Sequence, residues 1–270
     1  DLNDFLNLHK PAAIISDINY IDEKFIATYR RNDVPLVCLA PRGSFKYQAD
    51  LAFCDCENID EYHGAHEIQN DLRIGFDYAF IRSDIASLRR RNDCIRKKNQ
   101  IVISMGGTDT FDAITTIVRY LKHLPDYFSV KVVLGKFYKR PQYIRQLCEE
   151  FLSCDYEVLV SPTKFPTLLA ESTFGIFGTG LVTYEAMCLG VIPFNISISD
   201  FHQIKATLLQ DEGAGFYVGD LRDRGTNLKF IEKIQEIYDS KILKDIMRKK
   251  AMQLIDGKSQ KRIVRLIESE

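Results

Sequence analysis

The sequence predicts an α/β protein of two doubly wound domains, and three observations carry that prediction. Short apolar or β-branched runs recur along the chain, most of them followed by apolar residues at helical spacing, which is the alternation of a parallel sheet. The length of 270 residues suits about two domains. With 46% hydrophobic and 27% charged residues, the chain holds enough apolar material for a substantial core and too much for a disordered protein.

The elements follow in order. The chain opens on Asp1 with a helix end, Leu2, Phe5 and Leu6 at helical spacing, and lacks the basic and apolar regions of a signal peptide, so it is expected to begin in mid-domain. Strands are expected at Ala12 to Ile18, Leu36 to Ala40 and Leu51 to Cys56. The charged run Leu88 to Gln100, with Arg89, Arg90, Arg91, Arg96, Lys97 and Lys98, has no interleaved aromatics and reads as a solvated linker helix more readily than as a polyanion site. It marks the seam between residues 1–92 and 93–256, with residues 257–270 as a C-terminal helix. Five more strands are expected beyond it, at Ile101 to Met105, Val130 to Leu134, Tyr156 to Val160, Phe174 to Phe177 and Val191 to Ile196. Ile114, Ile117, Val118 and Leu121 fall at i, i+3, i+4, i+7, as do Ile144, Leu147, Cys148 and Phe151, giving each helix one buried stripe. Three strands before the seam are fewer than a nucleotide-binding half usually has, so the first domain is expected to be incomplete.

Charge and cysteines bound the function. Thirty-six Lys and Arg against 37 Asp and Glu leave a net charge of −1, so no whole-molecule field steers the chain to nucleic acid or an acidic membrane, and any anion site must be local. No window approaches the roughly 18 to 20 apolar residues of a membrane span. The seven cysteines, Cys38, Cys54, Cys56, Cys94, Cys148, Cys154 and Cys188, are scattered without a C-x-x-C pair and read as reduced core residues of a cytoplasmic protein, with no metal and no cofactor expected.

Three loops carry the chemistry. Ile101-Val-Ile-Ser-Met-Gly106-Gly107-Thr108-Asp109 ends a strand in two glycines before an amphipathic helix, a turn that offers main-chain N–H groups to phosphate oxygens. The same residues also make a plain tight turn with Thr108 or Asp109 as helix cap. Phe177-Gly178-Thr179-Gly180-Leu181-Val182-Thr183-Tyr184-Glu185 again joins strand to helix. Its Glu185 is either the acceptor of two hydrogen bonds from a ribose diol or an exposed carboxylate favoured by the helix dipole. Ser199-Asp200-Phe201-His202-Gln203 follows the next strand, and His202 is either a surface histidine or a donor, acid or base beside a diphosphate. All three loops belong at the carboxyl edge of one sheet, where open α/β sheets bind ligands.

The order strand-GG-T-D, then GTG-x-x-T-x-E-x-x-x-x-G-V-x-P, then D-x-H-Q resembles the nucleotide-binding half of GT-B proteins. The chain is most similar to the PseG family, UDP-sugar hydrolases of pseudaminic acid biosynthesis related to the MurG-like glycosyltransferases. Ile14-Ile-Ser-Asp17, Gly75-Phe-Asp-Tyr78-Ala-Phe-Ile-Arg82 and Leu254-Ile-Asp-Gly257 with Arg262 extend the resemblance over the chain. The resemblance implies a GT-B-like fold of two Rossmann-type doubly wound domains that binds UDP or a UDP-sugar. It places Gly106, Gly107 and Thr108 by the diphosphate, Glu185 on the ribose hydroxyls, and Gly178, Thr179, Gly180, Leu181 and Val182 around the uridine, with Gln203 joining them. The family's G-x-G-H turn, which carries its catalytic histidine, has no counterpart here: His9, His63, His66 and His123 lack those flanks. His202 therefore becomes the catalytic candidate within this chain, and either a missing N-terminal segment or fused domain holds the family base or the protein is a non-hydrolysing relative. Family members have Asn-Gln where this chain has His202-Gln203, a pattern closer to the glycosyltransferases. Hydrolase, glycosyltransferase and non-catalytic nucleotide-sugar-binding module thus stand as three readings.

Overall fold

The computed structural model describes residues 2–17, 27–28, 34–39, 49–55, 71–91, 95–109, 111–223 and 230–269. His63, His66, Cys56, Cys94 and the expected seam at 92/93 lie outside them. Along the chain the described elements are α1 (Leu2–His9), β1 (Ile14–Ser16), β2 (Leu36–Leu39), β3 (Leu51–Cys54), β4 (Asp71–Ile74), α2 (Ser83–Arg89), β5 (Lys98–Ser104), α3 (Ala113–Tyr120), β6 (Ser129–Leu134), α4 (Pro141–Phe151), β7 (Asp155–Val160), α5 (Phe165–Glu171), β8 (Ser172–Phe177), α6 (Leu181–Cys188), β9 (Ile192–Ser197), α7 (Asp200–Asp211), β10 (Phe216–Asp220), α8 (Phe230–Asp239), α9 (Lys241–Leu254) and α10 (Ser259–Ile267). Two compact units result, Asp1–Phe80 with Lys258–Glu270, and Ile81–Gly257. The second unit thus starts before the basic run, and the C-terminal helix returns to the first.

The first unit is a parallel four-stranded sheet in the order β1-β2-β3-β4. Alternation along its strands sends Leu36, Cys38 and Ala52 to one face with Leu6, and Val37, Leu51 and Phe53 to the other with Ile263 of α10. There α10 packs on a 3₁₀ turn, Phe76–Tyr78, where Arg262 donates to the carbonyl of Asp77 at 3.3 Å.

The second unit is a parallel six-stranded sheet in the order β10-β9-β8-β5-β6-β7. Ile101, Val102 and Ile103 of β5 are buried on both faces, as central parallel strands require. The stripes Ile114, Ile117, Val118, Leu121 and Ile144, Leu147, Cys148 pack into the same core, with Phe151 partly buried at its margin. The sequence reading finds eight of the ten described strands. It misses β4, where the charged Asp71 and Arg73 interrupt the apolar Leu72 and Ile74, and β10, a half-buried edge strand whose register shifts between Tyr217 and Gly219. Cys38, Cys54, Cys148, Cys154 and Cys188 are buried, and burial pushes the thiols of Cys38 and Cys148 up to about 12, so neither is a thiolate nucleophile at neutral pH. No described helix is long and apolar enough to cross a membrane.

The basic run departs from a solvated linker. Arg89, in the last turn of α2, donates to the carbonyls of Cys188 (2.8 Å), Ile255 (2.9 Å) and Met252 (2.8 Å), closing the C-terminal ends of α6 and α9. Lys97 donates to the carbonyl of Leu189 at 2.8 Å, and Lys98 pairs with Glu171. Burial, then the neighbouring Arg248 charge, pulls the Lys97 ammonium down to about 7. Arg89 and Lys97 thus do the work of C-caps, donating to carbonyls at or just past the ends of α6 and α9. Replacing Arg89 by Ala leaves three such carbonyls without their charged donor and is expected to destabilise the protein by about 2–4 kcal/mol, measured by urea unfolding.

Candidate functional site

In the second unit β5 is the first strand. The chain adds β6 and β7 on one side of it, then crosses to add β8, β9 and β10 on the other. The order reverses between β5 and β8, where the loops leaving the two strands run apart and open a crevice at the carboxyl ends. Ser104 and Phe177, paired across the two strand ends, both line a cavity of about 340 Å³ at this point. That volume falls in the range of roughly 300–1,000 Å³ typical of small-molecule sites.

Of the residues singled out from the sequence, Gly106, Thr108, Gly178, Gly180, Leu181, Val182 and His202 line this cavity together. Gly107 sits in the same exposed turn, Thr179 and Glu185 are buried behind the second loop, and Gln203 is exposed on α7. Met105, Asp109 and Ile198 complete much of the wall. Gly106 has φ +77°, a left-handed conformation that favours glycine. Gly135, at the end of β6, was given no role by the sequence. Its Cα lies so close to the turn that any Cβ there would overlap the carbonyl of Gly107, so a strand-end glycine outside the motif holds the motif's shape.

Three helices begin at the cavity, and their N-termini differ. The Asp109 carboxylate accepts from the N–H groups of Ala113 (2.8 Å) and Ile114 (3.0 Å), so the start of α3 is occupied by its own chain. Burial raises the Asp109 carboxyl above the usual aspartate value against the pull of those two N–H groups. Ser199 caps α7: its Oγ accepts the His202 N–H at 3.3 Å and lies 2.8 Å from His202 Nδ1, which fixes the imidazole against the cavity. Only α6, preceded by Gly180, has no side-chain cap, and its first residues Leu181 and Val182 face the cavity. The dipole and main-chain N–H groups available to an anion are therefore those of α6, with the 106–108 turn opposite. Asp109, Asp112 and Thr179 adopt φ of 46°, 53° and 55°, strained for residues with a Cβ and most so for the β-branched Thr179, whose Oγ1 donates to the carbonyl of Ile196 at 3.3 Å.

Glu185 lies one turn along α6 from Leu181 and Val182. Its side chain is 8% exposed, which rules out the solvated, dipole-favoured carboxylate, and its Oε1 is 3.2 Å from Arg82 Nε. Burial raises the Glu185 carboxyl above its ordinary value, the Arg82 charge opposes this, and Asp84 adds to the rise.

No family model matches the chain. The spore coat polysaccharide biosynthesis protein SpsG of Bacillus subtilis (strain 168) is 22% identical over 205 residues, 74% of this chain and 60% of that protein. The chain thus spans less than two thirds of that relative's length. Among solved structures, MurG of Acinetobacter baumannii superposes with a TM-score of 0.70 at 15% identity, over 99% of this chain and 76% of that one. HepE of Anabaena in complex with UDP-glucose gives 0.65 at 14% identity, over 100% and 81%. UDP-GlcNAc 2-epimerase of Neisseria meningitidis bound to UDP-GlcNAc gives 0.60 at 15%, over 100% and 79%. These likenesses show the fold: α/β, GT-B-like, with two Rossmann-type domains.

Two outcomes follow from this geometry. Gly135→Ala is expected to displace the 106–108 turn and lower stability by about 1–3 kcal/mol, with amide chemical-shift changes concentrated at those residues. Glu185→Gln is expected to raise the melting temperature at neutral pH. A carboxyl whose native pKa is raised contributes stability below its unfolded value, near 4.5, and loses it as pH rises through the native value. The gain from the amide should therefore shrink to nothing as pH falls toward the unfolded value, which melting curves across that interval would record.

Proposed function

We propose that this chain is the UDP-binding part of an enzyme of polysaccharide biosynthesis that cleaves a UDP-sugar, of the hydrolase type seen in the PseG family. The observation that carries the reading is the uncapped N-terminus of α6 and the 106–108 turn facing one cavity at the switch point of the second unit. The Bacillus subtilis relative, a spore coat polysaccharide biosynthesis protein, and the two structural neighbours with bound UDP-GlcNAc and UDP-glucose support the same substrate class. In this reading the N–H groups of Leu181 and Val182 and those of the glycine turn receive the diphosphate, and Glu185 takes the ribose diol. Gly178, Thr179 and Gly180 let the main chain approach the uridine, and Gln203 borders the group from α7.

Hydrolysis joins a water oxygen to the anomeric carbon and breaks that carbon's bond to the β-phosphate oxygen, with the electron pair leaving on UDP and the water's proton going to a base. The charge developing on the leaving oxygen is what the fixed N–H dipoles stabilise. The Ser199 hydroxyl can pair with either tautomer of His202. With Oγ donating to Nδ1, the imidazole carries its proton on Nε2 and donates to the diphosphate; with Nδ1–H donating to Oγ, Nε2 is a base. A glycosyltransferase is the second reading, favoured by His202-Gln203 where the hydrolases have Asn-Gln; an acceptor hydroxyl then replaces water.

Calorimetry with UDP and pyrophosphate tests the site. Glu185→Gln is expected to weaken UDP about tenfold or more, the loss of a charge-assisted pair to the diol, while pyrophosphate changes little. UDP release from UDP-GlcNAc and UDP-glucose, assayed with and without an alcohol acceptor, separates hydrolysis from transfer. A folded protein that binds no uridine nucleotide would falsify the proposal.

A further inference from the structure

The Arg82–Glu185 contact has no part in the reading above beyond neutralising a buried charge, yet its placement is specific. Arg82 is the residue that precedes α2, and Arg89 ends that helix. The two lie at i and i+7, on one face, and both reach α6: Arg82 at Glu185, Arg89 at the carbonyl of Cys188. The helix is thereby fixed along α6 at both ends, and the Arg82 guanidinium, half-exposed itself, is held against a carboxylate that solvent barely reaches. The same Nε lies 3.3 Å from Asp84 Oδ1, which also accepts the N–H of Ile85, so the arginine is steered from its own helix as well.

We infer that Arg82 is a positioning residue for the nucleoside subsite: by engaging Oε1 of Glu185 it keeps that carboxylate ionised and oriented to accept the vicinal diol of a nucleoside diphosphate. The inference rests on the assignment of Glu185 to the ribose. Its physical basis is that a carboxylate deprived of water tends to take up a proton, and a neutral acid is a weaker acceptor for two hydroxyls than an anion is. No cation on α6 itself opposes that tendency, because Leu181–Cys188 contains no Lys, Arg or His. The other titratable groups around α6 do not replace Arg82. Asp84, from α2, disfavours the anion, as would the thiolate of Cys188, one turn along, near which lie Arg89 and Asp256. From α9, Arg248 lies beside Gly190, beyond the far end of α6. From α7, Lys205 lies over the rings of Tyr184 and Phe201. The facing strands β8 and β9 carry no titratable side chain.

The test measures UDP affinity of the full chain from about pH 6 to about pH 8 for wild type, Arg82→Gln, Arg82→Lys, Glu185→Gln and the double variant with Gln at both positions. Affinities are compared as the ratio of variant to wild type at each pH, which cancels the titration of UDP itself. For Arg82→Gln the expected ratio is about tenfold weaker at the acid end and narrows to a few-fold at the alkaline end, as Glu185 regains its charge. The ratio for Glu185→Gln should be flat in pH, and the double variant no weaker than Glu185→Gln alone. Arg82→Lys should recover most of the loss, and pyrophosphate affinity should be unchanged by Arg82→Gln. A flat ratio for Arg82→Gln, tighter binding in that variant, or equal loss of UDP and pyrophosphate overturns the role of Arg82 while leaving the ribose assignment standing. If Glu185→Gln itself leaves UDP affinity unchanged, the ribose assignment fails first and the inference falls with it.

Discussion

The groups left without partners at helix ends govern how the second unit is put together. A helix leaves its first N–H and last C=O groups unpaired, and where such an end is buried something must satisfy them. At the C-terminal ends of α6 and α9 it is the guanidinium of Arg89, with Lys97 on the carbonyl that follows α6. At the start of α3 it is Asp109, and at the start of α7 it is Ser199. The N-terminus of α6 is the exception among the helices that begin at the cavity, and it faces the space where the strand order reverses. One rule thus accounts both for the interactions that tie α2, α6 and α9 together and for the position at which an anion is best received.

The same rule explains what the sequence disclosed and what it withheld. The central strands declare themselves because both faces are buried, so Ile101, Val102 and Ile103 form an unbroken apolar run. The three loops declare themselves through glycine and the hydroxyl caps that follow. The basic run misleads because local composition describes only the helix that carries a charge, whereas the partners of Arg89 lie 99 residues and more further along the chain. Gly135 is invisible for a similar reason: it ends β6, and its constraint comes from the Gly107 carbonyl on a neighbouring loop. Arg82 ends the stretch Gly75 to Arg82 noted in the sequence, but only the structure brings it to Glu185.

The proposed anion site, with Asp109 in its wall and Glu185 buried one turn along α6, presents an electrostatic problem in a protein of net charge −1. The structure solves it by pairing. The Asp109 carboxylate is turned onto two main-chain N–H groups and the Glu185 carboxylate onto a guanidinium, so neither projects an unopposed charge into the cavity. Both remain costly to keep ionised, as their raised pKa values record. The left-handed backbone at Asp109 and Thr179, beside the cavity, adds to that cost.

This division of labour bears on how one fold serves several reactions. On the proposed reading, hydrolysis and transfer expel the same UDP, and the groups that hold it act on the leaving oxygen in both. What separates them is the group delivered to the anomeric carbon, water or an acceptor hydroxyl, and the base that takes its proton. On the same reading, the cluster at the β5–β8 switch point supplies the half of the chemistry that the two reactions share. His202 is the residue in that cluster able to act on either side of the divide, as a donor to the leaving diphosphate or as a base, and which tautomer it presents to Ser199 decides between them.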